Sequence, residues 1–321
     1  MKAMMQAAVI AVALATPSGA WAQAYPARTV RFVIGFPAGS TIDNVSRVIL
    51  DQIRARTGAT IVVENRAGAL GVIGVEAVVT APPDGYTLMP SSSATNSSGP
   101  HLSRAAQKYD TVNGLTHVAR IVRFDIVVVS GAAQGFATAK DLIAEARNKP
   151  GSLAYGFGSG TGQVAAAAFS KSAGIEVRGV PYKGQPPAIN DLLGGHINFV
   201  AADLGAVLPH VRARTLVALA LTSDKRSTIV PAVPTAKELG LADLDLVGWI
   251  GVAGPANMPA EVVQWWTAQL TAAMAAPEVG ERLRNMGIEP DLLAGAPFQR
   301  FVRDQYDKWG KQVRDAGIVA E

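Results

Sequence analysis

The 321-residue sequence contains no cysteine, and only 17% of its residues are charged and 6% aromatic. Without cysteine the chain forms no disulfide, no thiolate metal site and no lipid-modified cysteine. The net charge is +4 and no dense run of lysine and arginine occurs, which argues against a nucleic-acid partner. The four histidines lack ligand spacing, and no His-Glu-x-x-His or Gly-x-Ser-x-Gly hydrolase signature is present. We therefore expect neither a metal site nor a cofactor.

One long apolar run is present, and it lies at the N-terminus. Met4–Ala15 is almost wholly apolar, and Ala20–Ala22 has the small-x-small pattern of a cleavage site. We expect residues 1–22 to be a signal peptide, cleaved after Ala22, that exports a chain without a lipid anchor to a Gram-negative periplasm. The alternative is an N-terminal anchor helix, but the Pro-Ser-Gly at 17–19 interrupts the run before the ~20 apolar residues that a span requires.

Short β-rich runs alternate with helical periods along most of the chain. This order is typical of an α/β fold with mainly parallel sheets, and about 300 mature residues favour two domains. The expected strands are Val30–Ile34, Thr60–Glu64, Tyr86–Met89, Ile126–Ser130, Leu153–Phe157, Val177–Val180, Ile197–Ala201 and Leu216–Thr222. The expected helices are Asp43–Arg56, Thr138–Arg147 and Pro187–Leu193, and from Pro259 onward the pattern predicts helices almost throughout, at Pro259–Ala276, Glu278–Met286 and Pro297–Ala316.

Three loops rich in glycine or small hydroxyl residues follow expected strands, and two of them open a helix. The first amides of a helix lack partners and its dipole is positive there, so such a turn binds anions, and serine and threonine hydroxyls donate to oxygen ligands. We expect these loops to hold a carboxylate with neutral donors. The candidate ligand-binding residues are Phe36, Ala38, Gly39, Ser40, Thr41 and Asp43 in the first loop, Ser92, Ser93 and Thr95 in the second, and Phe157, Ser159, Gly160, Thr161, Gly162 and Gln163 in the third.

Other interpretations of these loops stay open at this point. The glycines of the third loop fall at every second position and no lysine precedes the helix, so a nucleotide loop is disfavoured, whereas a tight turn without a ligand is not. The polar loop Ser91–Gly99 is either a wall of the site or a linker. Asp43 either stabilises the helix dipole from the first turn, by about 0.3–1 kcal/mol, or contacts the ligand, and it would be the obvious partner of a ligand amine.

The ordered set of motifs resembles one known family. The motifs are Tyr25-Pro26, Phe36-Pro37-Ala38-Gly39-Ser40 with Asp43, Val62-Val63-Glu64-Asn65-Arg66-Ala67-Gly68, Pro83-Asp84-Gly85-Tyr86-Thr87-Leu88, Val180-Pro181-Tyr182-Lys183-Gly184, Asp191-Leu192-Leu193-Gly194-Gly195, Leu208-Pro209-His210, Leu219 to Arg226 and Val233-Pro234-Thr235. Together they resemble the tripartite tricarboxylate transporter substrate-binding proteins, also called Bug proteins. Departures from the family occur at Ala38–Ser40 and at Gly160–Val164, and they bear on the identity of the ligand.

The resemblance implies an α/β, two-lobed periplasmic-binding-protein fold of type II (a Venus flytrap), with a mainly parallel sheet flanked by helices in each lobe. It implies that residues 23–123 plus 251–321 form lobe one and residues 124–250 form lobe two. The function implied is capture of a small organic carboxylate between the lobes and its delivery to membrane permease subunits of a tripartite transporter. Tyr182 and Asp203 join the candidate ligand-binding residues on this basis. We expect a monomer, because the assigned helices leave no apolar stripe unpartnered.

Two other functions are compatible with the same cleft. The chain is either a receptor that reports to a sensor kinase, or an exported enzyme that acts on carboxylates. An enzyme needs a general base with a perturbed pKa, and Asp43 and Asp203 are the only candidates. An exported structural protein without a ligand is the remaining alternative.

Overall fold

The computed structural model describes residues 25–241 and 244–320. The expected signal peptide, residues 1–22, lies outside the described residues. Within the described ranges, no helix combines the length and the apolar composition that crossing a membrane requires.

The described residues form ten β-strands and ten α-helices in alternating order. The strands are β1 (Val30–Ile34), β2 (Ile61–Asn65), β3 (Thr87–Ser92), β4 (Leu115–Gly131), β5 (Ala154–Phe157), β6 (Arg178–Pro181), β7 (Phe199–Asp203), β8 (Leu216–Leu221), β9 (Val247–Pro255) and β10 (Glu289–Ala294). The helices are α1 (Thr41–Thr57), α2 (Val72–Val79), α3 (Gly99–Leu102), α4 (Ala139–Asn148), α5 (Gly160–Ala173), α6 (Gln185–Leu193), α7 (Leu204–Arg212), α8 (Ala260–Met274), α9 (Pro277–Asn285) and α10 (Ala296–Ala316). A π-helical segment, Ser93–Ser98, directly follows β3.

All ten strands belong to one continuous sheet, which runs in the order β2-β1-β3-β9-β4-β7-β5-β6, with β8 and β10 also paired to β4. The pairings of β1 with β2 and β3, and of β5 with β6 and β7, are parallel. Every pairing of β4 and β9 is antiparallel. The parallel strands therefore lie at the two outer parts of the sheet, and antiparallel strands join them.

The long strand β4 connects the two halves of the molecule. Its residues 115–125 pair with β9, whereas its residues 126–131 pair with β7 and β8. Separate apolar cores pack on these two parts. Phe32, Ile49 and Trp266 belong to the core on the first side, and Phe169 and Phe199 belong to a core on the second. A strand shared by two cores, with β9 beside it, makes a two-lobed molecule.

Seven of the eight predicted strands are confirmed to within a few residues. The eighth, Ile126–Ser130, is only the end of β4, which begins at Leu115, and β9 was not predicted. Two further differences concern the tail and the loop after β3. The tail after Pro259 is not wholly helical, because Glu289–Ala294 pairs with β4 as an edge strand, where a proline is tolerated. Ser91–Gly99 is not a polar loop. β3 continues to Ser92, the π-helical segment follows at once, and the hydroxyl-bearing side chains there are buried. The hydroxyls of Ser92, Thr95 and Ser98 are hydrogen-bonded within the segment, whereas those of Ser91 and Ser97 are buried without a hydrogen-bond partner among the described residues.

The expected lobe boundaries stay a prediction, and the packing of α10 bears on them. Trp309 and Val313, in the second half of α10, lie in the same apolar core as Phe169 of α5. Phe298 and Val302, in its first half, pack with Trp249 of β9. The last helix therefore contacts both halves of the molecule.

His117 of β4 provides a test of the packing around Phe298. The side chain is buried, its Nε2 lies 3.1 Å from the carbonyl oxygen of Thr111, and its ring packs edge-on against Phe298. Burial lowers the pKa of the imidazole to about 4, although the carbonyl contact favours the charged form. The imidazole of the unfolded chain binds a proton below pH ~6.5, whereas that of the folded chain does so only near pH 4. The contribution of His117 to the free energy of unfolding is therefore present at neutral pH and is lost as the pH falls toward 4.

We predict that acidification from pH 8 to pH 4 lowers the free energy of unfolding of the wild type, relative to His117→Gln, by about 3 kcal/mol. Urea unfolding of both proteins across this range measures the difference, in which the contributions of all other titrating groups cancel. Parallel pH profiles for the two proteins would contradict the burial of a neutral imidazole at this position.

Candidate functional site

A cavity lies between the two halves of the molecule, at the ends of five strands. Its volume is about 20 Å³. The lining residues are Phe36, Ser40, Thr41, Ile42, Ser92, Ser93, Ala94, Phe124, Ser159, Thr161, Gln185 and Asp203. Apart from Phe124 of β4, every one of them lies at a corner where a strand ends and a helix begins. Helices α1, α5, α6 and α7 and the π-helical segment therefore all start at this cavity.

The first corner joins β1 to α1. Ser40 is the N-cap residue of α1, with an extended backbone, and its Oγ accepts a hydrogen bond from the Asp43 amide at 3.4 Å. The next two residues, Thr41 and Ile42, occupy the first helical positions, where the backbone N–H groups have no acceptor within the helix. Because the positive end of the helix dipole lies there as well, this corner favours an anion.

The second corner repeats this arrangement from the other side of the cavity. Ser159 is the N-cap residue of α5, its Oγ accepts from the Gly162 amide at 3.2 Å, and it lies 3.0 Å from the Thr161 hydroxyl. The neighbouring corner, between β6 and α6, lies close to this β5–α5 corner because Gly158 has no side chain. A Cβ on Gly158 would lie 1.9 Å from the carbonyl carbon of Gly184. This contact brings Gln185, the first residue of α6, to the cavity, and its Nε2 donates to Ser159 Oγ at 3.4 Å.

The third corner follows β3. Ser92 caps the π-helical segment, its Oγ accepting from the Thr95 amide at 3.2 Å, and Ser93 and Ala94 face the cavity. Thr95 does not line the cavity. Its hydroxyl donates to Asn96 Oδ1 at 2.7 Å, and it borders a separate small cavity with Leu70.

Asp43 is the third residue of α1 and does not line the cavity. Its carboxylate accepts hydrogen bonds from the Gly39 amide at 3.0 Å, from the Asn65 amide group at 2.9 Å and from Arg47 at 3.0 Å. Although burial opposes ionisation, these donors hold the pKa of the carboxyl below its usual value. Asp43 therefore lies in the first turn of α1 with Arg47 as its charge partner, and its contact with a ligand stays a prediction.

The remaining candidate residues lie near the cavity but outside its lining. Ala38 and Gly39 are exposed. Gln163 is the fourth residue of α5 and is half-buried. Gly160 and Gly162 pack against Ser98 and the Ala201 carbonyl, so their side of α5 is already covered. Phe157 packs beside Tyr155, and the Tyr182 hydroxyl donates to Asp191 at 2.7 Å. Direct contact of the candidates with a ligand stays a prediction.

Four lining residues were not expected from the sequence. Gln185, Ile42 and Ala94 lie at the same strand-to-helix corners as the candidates. Gln185 had a usable signal, because it opens a helix directly after a strand and a glycine. Phe124 had none, since it lies inside β4 and reaches the cavity only through the way in which the two halves meet.

Among the residues that the structure describes, Asp203 is the only ionisable side chain in the lining. It lies at the end of β7, is buried, and does not cap α7 with its side chain. Burial raises the pKa of its carboxyl to about 6, although the side chains of Gln185 and Thr41 favour the charged form. Thr41 Oγ1 and Gln185 Oε1 are themselves buried without a hydrogen-bond partner of good geometry. The cavity therefore offers neutral donors, helix N-termini and one carboxylate, and no cationic side chain lines it.

The two sides of the cleft touch at its rim. The contact joins Pro37, in the β1–α1 turn, to Gly184, in the β6–α6 turn. A Cβ on Gly184 would meet only Pro37 from outside its own turn, at 2.7 Å from Cγ and 2.8 Å from Cδ. Gly184 has an extended backbone, with φ of 162°, so alanine suits its conformation. The close approach therefore depends on the absence of a side chain at this position.

Comparison with known proteins gives consistent likenesses. A sequence model described as "Tripartite tricarboxylate transporter family receptor" matches residues 45–318. The chain is 31% identical over 315 residues to Protein BugT of Bordetella pertussis, covering 97% of each. It is similar to the solved structure of R. palustris Rpa4515 with adipate, at 29% identity and a TM-score of 0.87, covering 92% of this chain and 100% of that one. It is similar also to the periplasmic binding protein BugD, at 27% identity and a TM-score of 0.86, with the same coverage. The structural likenesses confirm the two-lobed α/β fold.

We predict that Gly184→Ala shifts the molecule toward an open cleft, because the added methyl group collides with Pro37 only when the lobes are closed. The absence of native cysteine allows spin labels to be attached at Ala67→Cys and Asn190→Cys, two exposed positions on opposite sides of the cleft. Pulsed electron resonance should give a longer mean label distance in Gly184→Ala than in the parent.

Gly280→Ala is the matched control, because its Cβ would meet only the flexible end of Arg284. It should leave the label distance unchanged. The same distance distribution in Gly184→Ala and the parent would contradict the closing contact at Pro37.

Proposed function

The chain belongs to the tripartite tricarboxylate transporter receptor family, and on that premise we propose that it captures a small organic carboxylate between its lobes in the periplasm and delivers it to the membrane permease subunits of a tripartite transporter. The proposal includes export through the N-terminal signal peptide. It takes the receptor to act as a monomer without a cofactor.

One observation carries the proposal: helices from both lobes direct their N-terminal ends and their capping serines at one buried cavity. Ser40 and Ser159 cap helices on opposite sides of it. Unpaired amides at a helix start, together with the dipole, stabilise a carboxylate, and the effect is stronger when water is excluded. A carboxylate that accepts several such hydrogen bonds needs no arginine or lysine.

The family and its relatives support a carboxylate as the ligand class. The family is one of receptors, and the R. palustris relative described above holds adipate, a dicarboxylate. The likeness to BugD, a periplasmic binding protein, supports the periplasm as the site of action.

The geometry of the cleft supports capture by closure. A ligand that contacts Ser40 and Ser159 together makes both sets of contacts only when the lobes meet, so it favours the closed arrangement. Bending of β4, the strand that both halves share, lets the lobes separate without breaking either core.

The raised pKa of Asp203 is the one observation that favours an exported enzyme instead. Acid–base chemistry on a carboxylate requires a second group to exchange or hold the proton, and no other ionisable side chain of the described residues lines the cavity. A receptor is therefore the better account. Delivery to a permease and signalling to a sensor kinase use the same cleft, and membership of a transporter family favours the permease.

We predict that the correct carboxylate stabilises the purified mature chain. At about 100 times its Kd the ligand adds about 2.7 kcal/mol to the free energy of unfolding, which raises the Tm by several degrees. A thermal-shift screen of dicarboxylates, tricarboxylates, aromatic acids, amino acids and nicotinate-like compounds measures this. Shifts with sugars or metal ions, and with no carboxylate, would contradict the proposal.

The variant Ser40→Trp tests whether the ligand that causes this thermal shift binds at the first corner. The indole fills the cavity, and loss of the N-cap costs about 1 kcal/mol, so the lobe stays folded while the thermal shift disappears. Ser152→Trp, at an exposed position of the other lobe, should retain the full shift. An undiminished shift in Ser40→Trp would remove the first corner from the binding site.

A further inference from the structure

We propose that the ligand of this cleft is a carboxylic acid that also carries a hydrogen-bond donor, either an ammonium or a hydroxyl group, and that this donor pairs with Asp203. The inference rests on the proposed function, since it takes the ligand to be a carboxylate. It adds a second recognition element, the one carboxylate in the described lining, to the helix N-termini.

The first support is the set of contacts around Asp203. The residue ends β7, pairs in register with Ile126 of β4 and is buried. Among the described residues, no lysine, arginine or histidine forms an ion pair with its carboxylate. Only the neutral side chains of Thr41 and Gln185 approach it and favour its charged form. A carboxylate in this state is costly to bury, so it needs a donor from outside the protein.

The second support is the absence of a compensating charge at the cavity. Its lining, as far as the structure describes the chain, contains no lysine, arginine or histidine. The nearby Arg47 is already paired with Asp43 at 3.0 Å. No group of three metal-ligating side chains occurs among the described residues, so nothing indicates that a bound metal ion neutralises Asp203. A ligand carboxylate placed beside Asp203 without a donor would add a second negative charge to the first.

The third support is the pair of buried polar atoms without partners. Thr41 Oγ1 and Gln185 Oε1 lie in the lining with Asp203, and both are able to accept hydrogen bonds. With the Asp203 carboxylate they form a group of acceptors in the cavity lining. An ammonium group has three N–H donors and a positive charge, so it satisfies this group most fully, and a hydroxyl satisfies part of it.

The experiment compares acids that share one carbon skeleton. Succinate, malate and aspartate form one series, and glutarate, 2-hydroxyglutarate and glutamate form another. Isothermal titration calorimetry gives the Kd of each acid for the wild type, for Asp203→Asn and for Asp224→Asn, the same substitution at an exposed position of the same lobe.

In a series that binds, we expect the amino or hydroxy acid to bind the wild type and Asp224→Asn at least tenfold more tightly than the parent acid. In Asp203→Asn the advantage of the ammonium group should fall to about twofold or less, because asparagine offers no negative charge.

A second measurement needs no variant. Around Asp203 the facing side chains are Thr41 from α1, Ser159 and Thr161 from α5, Gln185 from α6 and Phe124 from β4, and none of them titrates. Binding of a donor-free acid should therefore take up a proton at Asp203. Its affinity should fall as the pH rises from 5 to 8, whereas the affinity of the matched amino acid should not.

The outcomes separate this inference from the proposed function. If no carboxylate in the wider screen binds the wild type, the proposed function is wrong. If carboxylates bind but the donor brings no advantage, or if Asp203→Asn keeps the advantage, the pairing with Asp203 is wrong and the function stands. The pairing is supported if the tighter binding of the amino or hydroxy acid is lost in Asp203→Asn and is kept in the wild type and in Asp224→Asn.

Discussion

The positive ends of helices from both lobes meet at one buried cavity, and the rest of the structure depends on this convergence. Each parallel strand near the cleft ends in a turn that starts a helix, so the order of strands and helices along the chain sets the direction of every dipole. Serine N-caps hold these turns and add hydroxyl donors. No lysine, arginine or histidine of the described residues lines the cavity, so an anion bound there would be held by backbone dipoles and hydroxyl groups.

The site exists as one cavity because β4 is shared between the lobes. β4 contributes side chains to the cores on both sides, and β9 lies against it where its partners change. Each lobe supplies about half of the lining, and Pro37 and Gly184 define how closely the halves approach. Affinity and closure are therefore two aspects of one equilibrium, since a ligand gains its full set of contacts only in the closed arrangement.

Much of this could be predicted from the sequence, because strand-to-helix corners are local features. Small residues after an apolar run identified Ser40 and Ser159 without knowledge of the fold. Asp43 had a local signal for its structural role, since Arg47 follows four residues later on the same helix face. What the sequence did not reveal depends on distant pairing. Glu289–Ala294 is a strand only because β4, about 170 residues earlier, offers an edge. Phe124 reaches the cavity only because the two lobes meet there.

The central claim is that amides at the starts of α1 and α5 hold the ligand carboxylate without help from a cation. A crystal structure of the mature chain with a bound carboxylate tests it most directly. The account predicts ligand oxygens within about 2.7–3.2 Å of amides or capping hydroxyls from both lobes, at Ser40–Ile42 and at Ser159–Thr161. A carboxylate held by a lysine or arginine side chain, or bound to one lobe alone, would contradict it.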